Sequence, residues 1–186
     1  VQYYVDGNAG PPANFAVDYN HSGYTCKKYV HVEDNLKGSL KPKSFPVYRY
    51  AEILLTYAEA LNELDGTYTE GDITVNGRDE DEILDAFNQI RYRAGLPGLT
   101  SLPSREDMRE LIKHERRLEF VCEGGLRYHD IRRWGDAQYA YGRPVQGMNI
   151  KAKKSEREAF HTITTLNDDK ARRYFDYKNY FWPIPK

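Results

Sequence analysis

The stretch Ser104 to Gly135, S-R-E-D-M-R-E-L-I-K-H-E-R-R-L-E-F-V-C-E-G-G-L-R-Y-H-D-I-R-R-W-G, constrains the chain most, because a well-marked helix there carries acids on its apolar face. Ser104 followed three residues later by Asp107 reads as a capping box, and Gly124-Gly125 supplies a left-handed stop. The pattern predicts a helix from about 105 to 123. At the α-helical period, Leu111, Leu118 and Cys122 form a narrow stripe that Met108 and Ile112 widen on one side. Glu115 and Glu119 fall inside that arc. A buried carboxylate must be paired or hydrogen-bonded, since an isolated buried charge costs several kcal/mol or neutralises itself. Arg116 and Arg117 point elsewhere, so the first expected partners are the cations after the double glycine, Arg127, Arg132 and Arg133, within a wider set that also takes in Arg91, Arg93, Arg116 and Arg117. In this reading the chain folds back and the apolar face of Trp134 covers the pairs.

Two readings compete for these carboxylates. Paired acids facing a cleft can do general acid/base work, which makes a glycoside hydrolase using Glu115 and Glu119 one alternative. Acids interleaved with apolar residues and followed by an arginine cluster more often form a structural ion network, and that is the reading preferred here.

The same residues resemble a known family. Glu115-Arg116-Arg117-Leu118-Glu119-Phe120, then Glu123-Gly124 and Asp130-Ile131-Arg132-Arg133-Trp134-Gly135, are similar to the E-R-R-x-E-x-x-x-E-G and D-L-R-R-W-G blocks of the SusD/RagB family. The resemblance implies a surface lipoprotein of the outer membrane in Bacteroidetes-type bacteria. Such a protein helps a SusC-like TonB-dependent transporter capture an oligosaccharide or other nutrient, without catalysis and without a cofactor. It further implies an all-α, SusD-like helical fold with a tetratricopeptide-like helix pair, long ordered loops and few or no strands. Membrane attachment is then expected only through an N-terminal lipid anchor absent from this chain.

Composition agrees with a soluble-type globule. The 186 residues hold 27 basic and 28 acidic side chains, so no net field steers nucleic acid or an anionic membrane to the chain. The hydrophobic fraction is 40% and the mean hydropathy is −0.79. No run approaches the roughly 18 to 20 apolar residues of a membrane-spanning helix. Because the chain opens at Val1-Gln2-Tyr3 with no Met, signal peptide or lipobox cysteine, it reads as a fragment or processed form lacking the N-terminal half of the full protein. Cys26 and Cys122 match no metal or redox spacing and read as free thiols or a single disulfide.

A single domain is expected, in three parts: a loop-rich arm over 1–46, a helical core over 47–135, and a polar loop with an aromatic tail over 136–186. Gly10-Pro11-Pro12, Gly23, Gly38, Pro42 and Pro46 exclude a long helix from the arm. Within it Gly23-Tyr24-Thr25-Cys26-Lys27-Lys28-Tyr29 is similar to the family's G-Y-x-x-x-K-Y segment. Residues 47–64 make a helix ended by Asp65-Gly66, with Arg49, Glu52, Thr56, Glu59 and Glu63 on a polar strip and apolar residues over most of the rest. A helix so apolar predicts an exposed patch where a neighbour would lie. R-Y-A-E-I-L-L-T-Y-A-E-A-L-N-E resembles another family block. After a Gly/Thr/Asp-rich loop, acids at 79–82 open a third helix ending at Ala94-Gly95, whose N-Q-I-R-Y-R-A-G-L is again similar to the family's pattern. The charge run Lys151–Glu158 reads as a solvated face. The closing Tyr180-Phe181-Trp182-Pro183-Ile184-Pro185 looks like the family's Y-x-W-P-I-P.

Catalytic and metal signatures are missing from the sequence. His21, His31, His114, His129 and His161 have no zinc spacing, and there is no P-loop, G-x-G-x-x-G or G-x-S-x-G. Asp6-Gly7-Asn8 and Asn167-Asp168-Asp169 are read as turns rather than calcium sites. The 16 tyrosines allow two uses, as stacking platforms for the C–H faces of sugars or as helix-packing rings. For the tail, packing is the expectation, and no glycan-contacting residue is assigned. Besides the hydrolase, a helical-repeat module that only binds protein remains an alternative.

Overall fold

The computed structural model describes residues 5–7, 20–35, 38–166 and 173–181, so Trp182–Pro185 of the tail block, Gly10-Pro11-Pro12, Asn8 and Asn167-Asp168-Asp169 lie outside the described residues. The chain forms two compact units, one contiguous over 31–127 and one discontinuous, built from 1–30 and 128–186.

The contiguous unit is mainly helical. Helices α1 (Tyr50–Glu63), α2 (Glu80–Arg93) and α3 (Arg105–Glu119) enclose one core, with α1 packed against both others. Ala51, Leu54, Leu55, Ala58 and Leu61 of α1 meet Ile83, Ala86, Phe87 and Ile90 of α2 and Met108 and Ile112 of α3. Burying each large aliphatic or aromatic side chain of this set is worth about 1.5–3 kcal/mol. The alanines keep the helix backbones close. Asp79 caps α2 by accepting the Glu82 amide at 3.1 Å, and Ser104 caps α3 by accepting the Asp107 amide at 3.1 Å. Asn88, buried on α2, accepts from the Leu99 amide at 2.7 Å and donates to the Leu99 carbonyl at 2.9 Å, which pins the loop after α2 at that residue.

Two local expectations change here. The Gly/Thr/Asp-rich loop after α1 is a hairpin, β1 (Thr67–Glu70) against β2 (Ile73–Asn76), with Gly71 at φ 59° in its two-residue connection. Tyr68, Thr69, Thr74 and Val75 supply β-favouring side chains that outweigh the turn-like composition. Strands are few, but they are present. Helix α3 stops at Glu119 instead of 123, with Cys122 already at φ 61°. Cys122 lies past the helix end and is exposed, Leu118 sits on an outward face of the helix itself, and Phe120, at the C-cap, enters the core in their place.

Helix α4 (Leu126–Arg133) carries the chain into the discontinuous unit, followed by α5 (Ala137–Gly142), β3 (Gln146–Met148), α6 (Arg157–Phe160), β4 (Ile163–Thr165) and a 3-10 turn, Tyr177–Tyr180. β3 pairs antiparallel with β4, Gly147 opposite Thr164. The segment around Ser22 crosses β3: the Met148 amide donates to the Ser22 carbonyl at 2.9 Å. A Cβ on Gly147 would lie 2.7 Å from that carbonyl oxygen, so only glycine fits. The charge run Lys151–Glu158 is exposed except for buried Ala152.

Candidate functional site

Two clusters hold the side chains with chemistry, one in each unit. In the contiguous unit, α3 aligns Glu115 and Glu119 one turn apart, and the turn after it returns Glu123 to the same side. Glu115 is buried and accepts from Arg91 at 3.0 Å. Glu119 meets Arg49 at 2.8 Å and also Arg93. Arg49 grips Glu123 with two bonds, Nε at 2.8 Å and Nη2 at 2.9 Å. Burial works against the Arg49 charge, but its bonds to Glu123 and Glu119 outweigh burial and hold the guanidinium above its ordinary pKa. Arg49 and Arg116 lie over the Phe120 ring at 5.4 and 5.2 Å.

The Arg49 contacts belong to a longer seam between α1 and α3, while Arg91 and Arg93 reach the same acids from α2. Arg49 meets Glu123, Thr56 accepts from Arg116 at 3.1 Å, and Glu63 accepts from Arg109 at 2.9 and 2.5 Å. Seven residues forward on α1 match seven back along α3 and its terminal turn at each step, as two antiparallel helices require. Arg116, expected to point away from the core, is buried in this seam. The polar strip of α1 was visible in the sequence; its role as the mate of the α3 acids was missed. The signal was the shared seven-residue spacing of Arg49, Thr56 and Glu63 with Arg109, Arg116 and Glu123.

The sequence-predicted cations after the double glycine have other contacts. Arg132 donates to the Tyr128 hydroxyl at 2.9 Å and to the Tyr180 carbonyl. Arg133 pairs with buried Asp130 at 3.0 Å and lies 4.7 Å from the Trp134 ring centroid. Arg127 is half-buried at the end of the contiguous unit. The guanidiniums that meet Glu115 and Glu119 include Arg91, Arg49 and Arg93.

The second cluster is an aromatic cleft of about 360 Å³ in the discontinuous unit. Tyr128 and Arg132 of α4 and Tyr141 of α5 form one part of its lining, and Tyr174, Phe175, Asn179 and Phe181 the other. Phe175 lies nearly parallel to Tyr141 at 5.7 Å and edge-on to Tyr180 at 4.9 Å. The 3-10 turn is fixed by a capping box: Asn179 accepts from the Asp176 amide at 2.8 Å while Asp176 accepts from the Tyr177 amide at 2.8 Å. Tyr180 donates its hydroxyl to the Gly135 carbonyl at 2.7 Å. Tyr174 has a raised pKa, because its hydroxyl is hydrogen-bonded to the Asp176 carboxylate. The tail rings were expected to pack, yet Tyr174, Tyr177 and Phe181 are 77%, 65% and 62% exposed.

Among the described residues no group of three His, Cys, Asp or Glu side chains is placed to hold a metal ion, and no helix is long and apolar enough to cross a membrane. Cys26 and Cys122 are separate, exposed thiols.

A mainly helical scaffold with charged seams and, among the described residues, two small two-stranded sheets is the class that this geometry defines. The chain belongs to the SusD family, whose model matches residues 2–186. It is 32% identical over 114 residues to SusD-like protein P38 of Formosa agariphila, a match covering 61% of this chain and 21% of that protein. A solved SusD-like protein from Bacteroides fragilis aligns with 74% of this chain and 22% of its own, at 32% identity and a TM-score of 0.51. A second solved structure covers 75% of this chain and 21% of its own, at 25% identity and a TM-score of 0.55. The chain thus spans about a fifth of the length of these relatives.

Proposed function

We propose that this chain is part of a non-catalytic glycan- or nutrient-binding protein that works with a SusC-like TonB-dependent transporter at the outer face of the outer membrane. Membership of the SusD family across residues 2–186 carries the reading. In the whole protein, a lipid anchor N-terminal to these residues holds it at the membrane. The side chains support a binding role over turnover. Glu115 and Glu119, the acids a hydrolase would need, both have oxygens engaged by guanidiniums inside the helical scaffold. The test is a glycan array on the full-length protein, followed by a reducing-end assay on whichever glycan it retains. Retention without cleavage is expected, and a folded Glu119→Gln variant should bind with unchanged affinity. Retention of no glycan, or release of reducing ends by the parent only, would overturn the reading.

A second reading, a module that binds only protein, is favoured by one observation. Tyr50, Ile53 and Tyr57 repeat along one face of α1 and are 65%, 60% and 40% exposed. An array that stays empty while the transporter co-purifies with the full-length protein would select it.

A further inference from the structure

The base of the β1–β2 hairpin carries a sequence with chemistry of its own. Asn76-Gly77 is the single Asn-Gly step in the 186 residues. The fold demands its glycine: a Cβ on residue 77 would clash with the Leu64 carbonyl oxygen and lie 2.7 Å from that of Gly66. Asparagine is a labile residue, and most so before glycine, because the next amide nitrogen then has no side chain beside it to block attack on the asparagine carbonyl. We infer that Asn76 is a modification site, deamidated through attack by the Gly77 nitrogen, and that opening of the hairpin sets the rate.

The reaction needs only water and base. Base removes the Gly77 amide proton, the nitrogen bonds to Asn76 Cγ, and the side-chain nitrogen takes up a proton and leaves as ammonia, closing a five-membered imide. Water then opens the ring. Cleavage of the Cγ–N bond gives aspartate; cleavage at the main-chain carbonyl carbon gives isoaspartate, whose backbone runs through Cβ and Cγ. The sum is one water gained and one ammonia lost. In the closed hairpin the first step is opposed. The Gly77 amide donates to the Gly66 carbonyl at 2.7 Å, so its proton is withheld from solvent base, and the Thr67 hydroxyl donates to Asn76 Oδ1 at 3.0 Å, which holds the side chain across the ladder. That gate is weak. All four residues of β1 and three of the four in β2 are exposed, Val75 alone being partly packed on the core, and a lone two-stranded hairpin is marginally stable in water. It opens without unfolding the helices, and each opening frees the Gly77 proton.

The two products differ in what they do to the fold. Aspartate keeps an oxygen to accept from Thr67, so its hairpin closes again. Isoaspartate adds one carbon to the main chain between the Thr67 pairing of residue 76 and the Gly66 bond of residue 77. Beyond it the chain is pinned: the Arg78 amide donates to the Leu61 carbonyl at 2.8 Å, and its guanidinium to Asn62 and, at 2.6 Å, to the Pro103 carbonyl. The lengthened link throws the ladder out of register, so the isoaspartyl chain keeps its hairpin open above an intact helical core.

Incubation of the whole chain in mildly alkaline buffer tests the site, read by peptide mapping with mass spectrometry and by methylation with an isoaspartyl methyltransferase. Deamidation should appear first at Asn76, with isoaspartate among the products. It should run roughly tenfold or more slower than in guanidinium chloride, where the hairpin is open throughout. Gly71→Ala, which puts a side chain at φ 59° in the hairpin connection, should speed it several-fold while helical circular dichroism is kept. Asn76→Gln should remove both the mass change and the methyl acceptance at this position. In the isoaspartyl product the amides of residues 67–76 should exchange hydrogen faster than in the parent, while those of α1 and α2 stay protected. A first deamidation at another asparagine, equal rates in the folded and denatured chain, a rate indifferent to Gly71→Ala, or an isoaspartyl product with the parent's exchange pattern would each overturn the inference.

Discussion

The α1–α3 seam and the aromatic cleft treat their side chains in opposite ways. Along the seam, charged groups meet charged or hydroxyl groups of the neighbouring helix, and Arg116 is buried in doing so, as Glu115 is in its pair with Arg91 of α2. In the cleft, rings are held by their edges and backbone while Tyr174 and Phe181 keep their surfaces in water. Groups that satisfy one another internally have little left to offer a ligand, whereas rings fixed but uncovered have much. The charge pairs and the uncovered rings thus lie in different units of one short chain.

Substitutions can break that contrast. The largest effect is expected for Glu115→Ala, which strands the Arg91 guanidinium and should lower the unfolding free energy by about 3–5 kcal/mol in a denaturant titration. A change under about 1 kcal/mol, the range of a surface pair, would remove the Glu115–Arg91 pair between α2 and α3 from the structural account. Gly147→Ala probes the other unit by overpacking. Its new methyl would press on the Ser22 carbonyl and should cost about 1–3 kcal/mol, read as a lower melting temperature.

A smaller effect involves Asp34. The Lys43 ammonium and the Lys41 and His31 amides bond its carboxylate and lower its pKa to about 2 from 3.8. Because the folded value is the depressed one, this support is complete above the ordinary carboxylate range and is lost as the pH falls from 3.8 toward 2. Carbon-detected NMR should give a midpoint near 2 for Asp34, and Lys43→Met should move it upward. The smallest effect sharpens the comparison. Tyr174→Ala should alter stability by less than about 0.5 kcal/mol, as expected for a side chain outside any core. A loss of several kcal/mol would show that this ring packs and serves the fold.

Much of the contiguous unit was legible because its signals are local. Ser104 and Asp107 mark the start of α3 through a bond spanning three residues, and Gly66 and Gly95 sit at φ 73° just beyond α1 and α2. What depends on distant residues was not legible. One partner of Glu119 is Arg49, 70 positions away, and no helical wheel drawn for one helix contains it. The early stop of α3 follows from burial of Phe120, a tertiary demand that a downstream double glycine does not report. The hairpin at 67–76 was hidden by turn-forming composition. The cleft was hidden for another reason: the pattern shows that the tail is aromatic, but exposure of a ring depends on what the rest of the chain leaves uncovered.

The bond from Met148 to Ser22 also bears on when this molecule can fold. The contiguous unit is complete as soon as Arg127 has left the ribosome, and its helix contacts can form while synthesis continues. Residues 20–30 belong to the other unit, and they emerge long before the strand that Ser22 must cross. At typical elongation rates the wait for Met148 is about 6–25 seconds. During it Asn20 and Ser22 can already make their local bonds to Tyr24 and Thr25, but the Ser22 carbonyl and the Tyr24 hydroxyl still wait for Met148, so the turn forms early and its docking onto β3 comes late.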